Sequence, residues 1–374
     1  MNSHWNEKAL LVYFVCQSFL ALSCSNHSDD QDFDRTLNCN TDKPVQTMSE
    51  YVSHVSFVVL DPDAEANFRN IDKLVIDNER IYIGDFSSQK IVAYKMDGSL
   101  DFVLDKKGRG PGEYLSMKSY CVYDNNLYIL DNNGSKIHVY TADKGSFKES
   151  VNLPFVSWDF EALGNGGFIF AFAPMKGGRL KSAQPLYRIF LTDKDLHIKG
   201  KMFGYAESDY DLIAYSRFFS VYDDKIVYSS FHFDGFTVFD RFSGEVVETV
   251  GIKFSHAIPG GSRKDDSVTS ASYNFLESVP ILCGQYILAE ISLGDYTDNF
   301  MYDPAISSFV TNSESSEGNY VFYPIGSWKD CYVSYISDKE LYSGLVESGL
   351  ERAPQDVEMA LDSGNPVLIF YHMK

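Results

Sequence analysis

Gln89-Lys90-Ile91-Val92-Ala93-Tyr94 returns as Ser135-Lys136-Ile137-His138-Val139-Tyr140, and this echo decides the fold. Ile81-Tyr82 returns as Leu127-Tyr128 and Asp85 as Asp131, every pair at the same offset of 46 residues (127 − 81, 131 − 85, 137 − 91). Inside each copy apolar residues recur with the short period of a pleated strand, and Asp, Asn and Gly punctuate the segments. A period of roughly 40–50 residues built from short strands is that of propeller blades.

Outward from this core, residues 72–77, 80–85, 90–96 and 100–105 read as the four strands of one blade, and 117–123, 127–131, 136–141 and 147–153 as the next. A looser third blade follows at 159–162, 168–173, 186–191 and 197–203. Residues 225–229 and 236–239 echo the second blade at an offset of 99 (226 − 127) and belong to a fourth, while 278–283, 286–291, 299–302 and 308–311 make a fifth. The sixth is incomplete. Strands are expected at 320–323 and 332–336, after which Leu341, Leu345, Val346 and Leu350, then Val357, Met359, Ala360 and Leu361, recur at helical spacing on either side of Pro354. Pro366-Val367-Leu368-Ile369-Phe370-Tyr371 ends the chain as a strand, and residues 55–60 can supply the one still missing. The expected fold class is therefore all-β. It is a six-bladed β-propeller of four-stranded antiparallel blades, closed by an N-terminal strand, with a small helical insertion near the C-terminus.

The N-terminus reads as a separate segment. A short, broken apolar run over residues 9–22 leads to Leu20-Ala21-Leu22-Ser23-Cys24, which resembles a bacterial lipobox, and this resemblance implies that Cys24 is lipidated. The acidic stretch Ser25-Asn26-His27-Ser28-Asp29-Asp30-Gln31-Asp32 resembles the surface-export signal of Bacteroidetes lipoproteins. The expected organisation is a signal peptide at 1–23, a flexible acidic tether at 24–53 and the propeller at 54–374. The resemblance places the chain at the outer membrane through its lipid, exposed on the cell surface.

Composition narrows the partners. Of 374 residues, 44% are hydrophobic and 15% aromatic, as suits a strand-rich core. With 32 Lys and Arg against 52 Asp and Glu the net charge is −20, a field that repels phosphate backbones and excludes nucleic acid. Cys39, Cys121, Cys283 and Cys331 have no C-x-x-C or His-paired spacing, and Cys121, Cys283 and Cys331, in or beside apolar strand-like runs, read as buried single thiols; no residue is assigned to a metal and no cofactor is implied, with a divalent cation left open.

Gly108-Arg109-Gly110-Pro111-Gly112-Glu113-Tyr114, between the first and second blades, resembles the G-x-G-P-G-E-[YF] signature of six-bladed, NHL-like propeller lipoproteins of Bacteroidetes. The flanking Asp-x-x-x-x-Lys-Ile-x-x-Tyr strands and Asn365-Pro366-Val367-Leu368 agree with it, and the similarity covers residues 55–374. The resemblance speaks to fold and leaves the ligand open.

The heptad has two readings: a blade-crossing loop in which glycine supplies tight turns, or a polar clamp of Arg109 and Glu113, with Tyr114, at the mouth of the central channel. His232 stands in a context like the end of an inner strand and is a further candidate binding residue. Asp266-Ser267-Val268 resembles a Bacteroidetes O-glycosylation motif, which makes Ser267 a candidate acceptor. No catalytic residue stands out. The expected function is a non-catalytic binding or scaffold module for a glycan or protein ligand, serving nutrient capture with an outer-membrane transporter. The alternative is a metal-dependent hydrolase or lyase with its site at the channel.

Overall fold

The computed structural model describes residues 32–41, 47–176, 184–206, 209–213, 215–259, 263, 273–312 and 319–374. Cys24 with the expected signal peptide, and Ser267, lie outside the described residues.

Six small sheets form the blades. Blade 1 consists of Lys73–Asp77, Arg80–Asp85, Lys90–Lys95 and Leu100–Leu104, and blade 2 of Ser119–Tyr123, Asn126–Asp131, Lys136–Thr141 and Phe147–Asn152. Blade 3 follows with Asp159–Ala162, Phe168–Ala171, Tyr187–Thr192 and Ile198–Gly204, and blade 4 with Phe219–Tyr222, Lys225–Tyr228, Gly235–Asp240 and Val246–Phe254. Blade 5 is Ile281–Cys283, Tyr286–Leu293, Thr297–Asp303 and Ser308–Thr311, and blade 6 is Gly326–Trp328, Cys331–Ile336, Val367–Met373 and Val52–Val59. Each blade's first strand touches that of the next, and that of blade 6 touches Lys73–Asp77, so the ring is closed.

The repeated residues explain themselves as framework. The middle strands are buried on both faces because each blade is covered by its neighbours, hence Ile81, Tyr82, Ile83, Ile91, Val92 and Ala93 at 0% exposure. Asp85 accepts from the Arg69 and Ser88 amides (2.8 and 2.9 Å) and from both serine hydroxyls of its hairpin turn. Asp131 accepts from the Leu115 and Gly134 amides (2.8 and 2.7 Å) and from Ser116. One carboxylate thus ties each blade's second-to-third turn to the segment that enters the blade. Tyr120 clasps blade 2 to blade 1, donating to the Lys73 and Tyr82 carbonyls (2.9 and 2.8 Å). Gly84 leaves room for that ring, since a Cβ there would sit 2.4 Å from it.

Closure follows the expected route. Val52–Val59 pairs antiparallel with Val367–Met373 as the outer edge of blade 6, with Val55 opposite Tyr371 and Phe57 opposite Ile369. Helices α1 (Lys339–Glu347) and α2 (Gln355–Asp362) form the insertion between the second and third strands of that blade. Asp338 caps α1 through the Leu341 amide (2.7 Å), and Tyr342, Leu345, Val357 and Leu361 pack onto the core between blades 5 and 6.

Three expectations change. Part of the expected tether is ordered: Arg35–Cys39 is a fifth strand of blade 4, parallel to Val246–Phe254, with Leu37 opposite Ile252 and Cys39 opposite Phe254. It covers the blade's free edge, and Arg35 Nε pairs with Glu248 at 2.6 Å. The propeller unit therefore begins at Phe33, before the expected residue 54. Residues 320–323 are not a strand; the Asn312 side chain takes both backbone groups of Val321 (3.1 and 2.8 Å), Tyr323 has φ 20°, and Pro324 follows. The first strand of blade 6 is Gly326–Trp328 instead. In blade 5, Asn274–Leu276 pairs with the far end of Tyr286–Leu293, so two short strands share one long partner.

Candidate functional site

The first strands line the central channel, and their side chains enclose a cavity of about 280 Å³, at the small end of ligand sites. Lys73, Glu161, Arg217 and Arg241 line it, as do Asp77 and Asp223 from the first hairpin turns of blades 1 and 4. The cavity therefore reaches the face that carries the tight turns. Antiparallel topology puts the blade-crossing segments and α1 and α2 at the opposite face.

One set of charges here is saturated. Lys73 Nζ lies 2.7 Å from Glu161 and 3.2 Å from Asp159, and all three are at most 4% exposed. Ser119 Oγ donates to Asp159 at 2.5 Å, and the Phe218 and Phe219 amides donate to its other oxygen at 3.0 Å each. Blades 1 to 4 are thus joined through one buried carboxylate. Burial alone would push Lys73 down, but Asp159 and Glu161 outweigh it and hold the ammonium above its ordinary value. Burial pushes both carboxyls up; Lys73 and the donors around Asp159 bring that one below the ordinary range, while Glu161 stays raised.

The channel arginines are different. Arg217 Nη1 crosses from blade 4 to the Ile325 carbonyl before blade 6 (2.6 Å). Arg241 reaches from the last hairpin of blade 4 to the Val122 carbonyl of blade 2 (3.0 Å), with its guanidinium 4.7 Å above the Tyr123 ring. Among the described residues neither has a carboxylate within ion-pair distance, and Arg241 Nε is buried without a partner. Burial pulls Arg217 down, with Asp159 and Glu290 opposing from a distance. Elsewhere two other arginines are set against carboxylates. Arg188 holds Asp211 at 2.5 Å, and Arg263 holds Asp234.

The residues expected to form a site fall elsewhere. Tyr114 is fully buried and donates to the Gln89 and Leu104 carbonyls (2.7 and 3.2 Å). Glu113 accepts from the Gly110 amide at 2.7 Å, and a Cβ at Gly108 would lie 2.0 Å from its carboxylate, so the heptad is a tightly folded crossing. Arg109 is exposed on it. None of the three lines this cavity, which reaches the opposite face from the blade crossings. His232 sits in the second-to-third turn of blade 4, also away from the cavity. Its Nδ1 meets Ser230, its ring packs on Phe233 at 4.4 Å, and burial, with Arg188 and Arg263 nearby, holds it well below the ordinary histidine range. Two groups hold side chains at metal-ligand separations: Asp330, Cys331 and His372, and Asp193, Asp195 and His197. Sequence spacing gave no sign of the first, because its cysteine and histidine are 41 residues apart and meet only by strand pairing.

Comparison with known proteins supplies the family. No curated protein matches the chain. A Bacteroides fragilis protein described as exported has the same fold, with a TM-score of 0.72 at 17% identity over 91% of this chain and 99% of its own. A member of the DUF4221 family from Bacteroides vulgatus aligns over 86% of this chain and 96% of its own, at 9% identity and a TM-score of 0.47. Residues 33–372, the whole propeller but its last two residues, match one family model, and the chain belongs to that family, described as a domain of unknown function (DUF4934).

Proposed function

We propose that the chain is an exported, lipid-anchored, non-catalytic binding module that takes a small acidic ligand in its central channel. The observation that supports this is the pair of channel arginines, Arg217 and Arg241, which hydrogen-bond to backbone carbonyls and, among the described residues, have no carboxylate within ion-pair distance, in a protein of net charge −20. A cation held out of water without a direct ion pair is unfavourable, and an anionic ligand adds the close contact that Asp159 and Glu290, acting on Arg217 from a distance, and Glu161 and Asp77, acting on Arg241, do not make. The lipobox-like sequence ending at Cys24 and the similar fold of an exported Bacteroides protein support placement in the cell envelope. Among the described residues no helix is long and apolar enough to cross a membrane. A carboxylate is shared by peptide C-termini and acidic sugars, so peptide and glycan capture beside an outer-membrane transporter both agree with this chemistry.

The test is a thermal-shift and calorimetric panel on the purified propeller with dicarboxylates, sugar acids, short peptides and neutral oligosaccharides. Binding confined to anionic compounds, weakened by salt, is the expected result. Saturable binding of neutral glycans with no response to anions would overturn the reading. Recovery of a transporter with the Cys24-anchored form from intact cells tests the nutrient-capture role.

A further inference from the structure

We infer that Asp330, Cys331 and His372 form a transition-metal site of the zinc class at the seam where the ring closes. The strands bring this about. Cys331 lies opposite His372 in one ladder and His54 lies opposite His372 in the next, so the three share one face of blade 6. His54 and His372 stack with ring centres 4.0 Å apart.

The donor set has the right separations. Cys331 Sγ is 3.2 Å from His372 Nδ1 and 3.5 Å from Asp330 Oδ1, and the three ligand atoms all lie within 4.8 Å of one another. Tetrahedral zinc, with bonds of about 2.0–2.3 Å, places neighbouring donors roughly 3.3–3.7 Å apart. Ser56 Oγ contacts His372 Nε2 at 2.9 Å, which fixes the ring and leaves Nδ1 turned toward the thiol. A partner of this kind on the far nitrogen is the usual orienting contact behind a metal-bound histidine. Thiolate, carboxylate and neutral imidazole together carry two negative charges, which a divalent ion neutralises. Asp330 is exposed, so the fourth position opens to solvent. On binding, the S–H bond of Cys331 breaks, its proton passes to buffer, and the sulfur keeps the electron pair that forms the metal bond. The ion would tie the first turn of blade 6 to the C-terminal strand.

The second group lacks these features. Asp193 and Asp195 already pair with Lys199 and Lys194 (2.9 and 3.1 Å), and His197 is exposed.

The experiment uses the chelator-treated protein and two probes, Zn²⁺ and Co²⁺. One equivalent of Co²⁺ should give the near-ultraviolet band of thiolate-to-cobalt charge transfer. Zn²⁺ should displace it, release about one proton and raise the melting temperature. Cys331→Ser should abolish the band, and His372→Gln should weaken binding by at least about tenfold. His197→Ala should change nothing. Absence of a thiolate band in the wild-type protein, or Zn²⁺ affinity unchanged in a folded Cys331→Ser variant, would overturn the site. The wild-type cobalt spectrum decides even where a variant fails to fold.

Discussion

Lys73 and Arg241 line the same cavity from different blades, yet they are treated differently. Lys73 is buried with two carboxylates at 2.7 and 3.2 Å, and the stronger of its carboxylate partners in this sense, Asp159, also gathers two amides and a hydroxyl from two other blades. Among the described residues Arg241 is given a carbonyl and a tyrosine face, and Arg217 a carbonyl. Lys73, Arg188 and Arg263 are each set directly against a carboxylate, whereas, among the described residues, Arg217 and Arg241 are not. A charge left incomplete beside a cavity is available to something else. The comparison separates framework from site within one channel.

It can be broken in graded steps. Deleting residues 366–374 removes the third strand of blade 6 and strands Val52–Val59 without a partner, so soluble, cooperatively melting protein should be lost altogether. Lys73→Met leaves Asp159 and Glu161 buried against each other, and denaturant titration should show a loss of about 3–5 kcal/mol. A loss below about 1 kcal/mol would mean that the network is not framework.

Acid should act next. Burial pushes Asp85 and Asp131 up, but the amide and hydroxyl donors around each, with His138 also at Asp131, hold them at about 2. Their folded values lie below those of the unfolded chain, so the stability they confer is complete above about pH 4 and is lost as pH falls toward 2. Each contributes on the order of 2 kcal/mol. Asp131→Asn should therefore lower stability at pH 7 by about that amount and flatten the dependence between pH 4 and 2, read by urea titration at each pH. The smallest effect belongs to Glu113→Ala. It removes one amide cap from an exposed crossing and should cost about 0.5–1.5 kcal/mol, without changing any ligand response.

What could be read from the sequence follows the same division. The 46-residue echo exposed blades 1 and 2 because Asp85 and Asp131, Tyr82 and Tyr128, Tyr94 and Tyr140 hold matching positions in the strands. Closure by residues near 55–60 was legible by counting strands. The strand Arg35–Cys39 was not, since its partner lies about two hundred residues away and five residues alternating around Leu37 and Cys39 carry no local signature. The heptad was conspicuous through its glycines, yet conspicuous because a tight crossing needs them. Channel residues were invisible for the opposite reason. Lys73 reads as the polar start of a strand, and Arg217 and Arg241 as ordinary loop residues, until six first strands converge on one axis.

The central claim is that Arg217 and Arg241 are held for a ligand, and titration calorimetry of the Arg217→Gln, Arg241→Gln double variant against the tightest anionic compound of the panel tests it most directly. The account predicts an unliganded melting curve within about 1 kcal/mol of wild type, because among the described residues neither arginine is in an ion pair, together with at least about a hundredfold loss of affinity. Unchanged affinity in the folded double variant would contradict it.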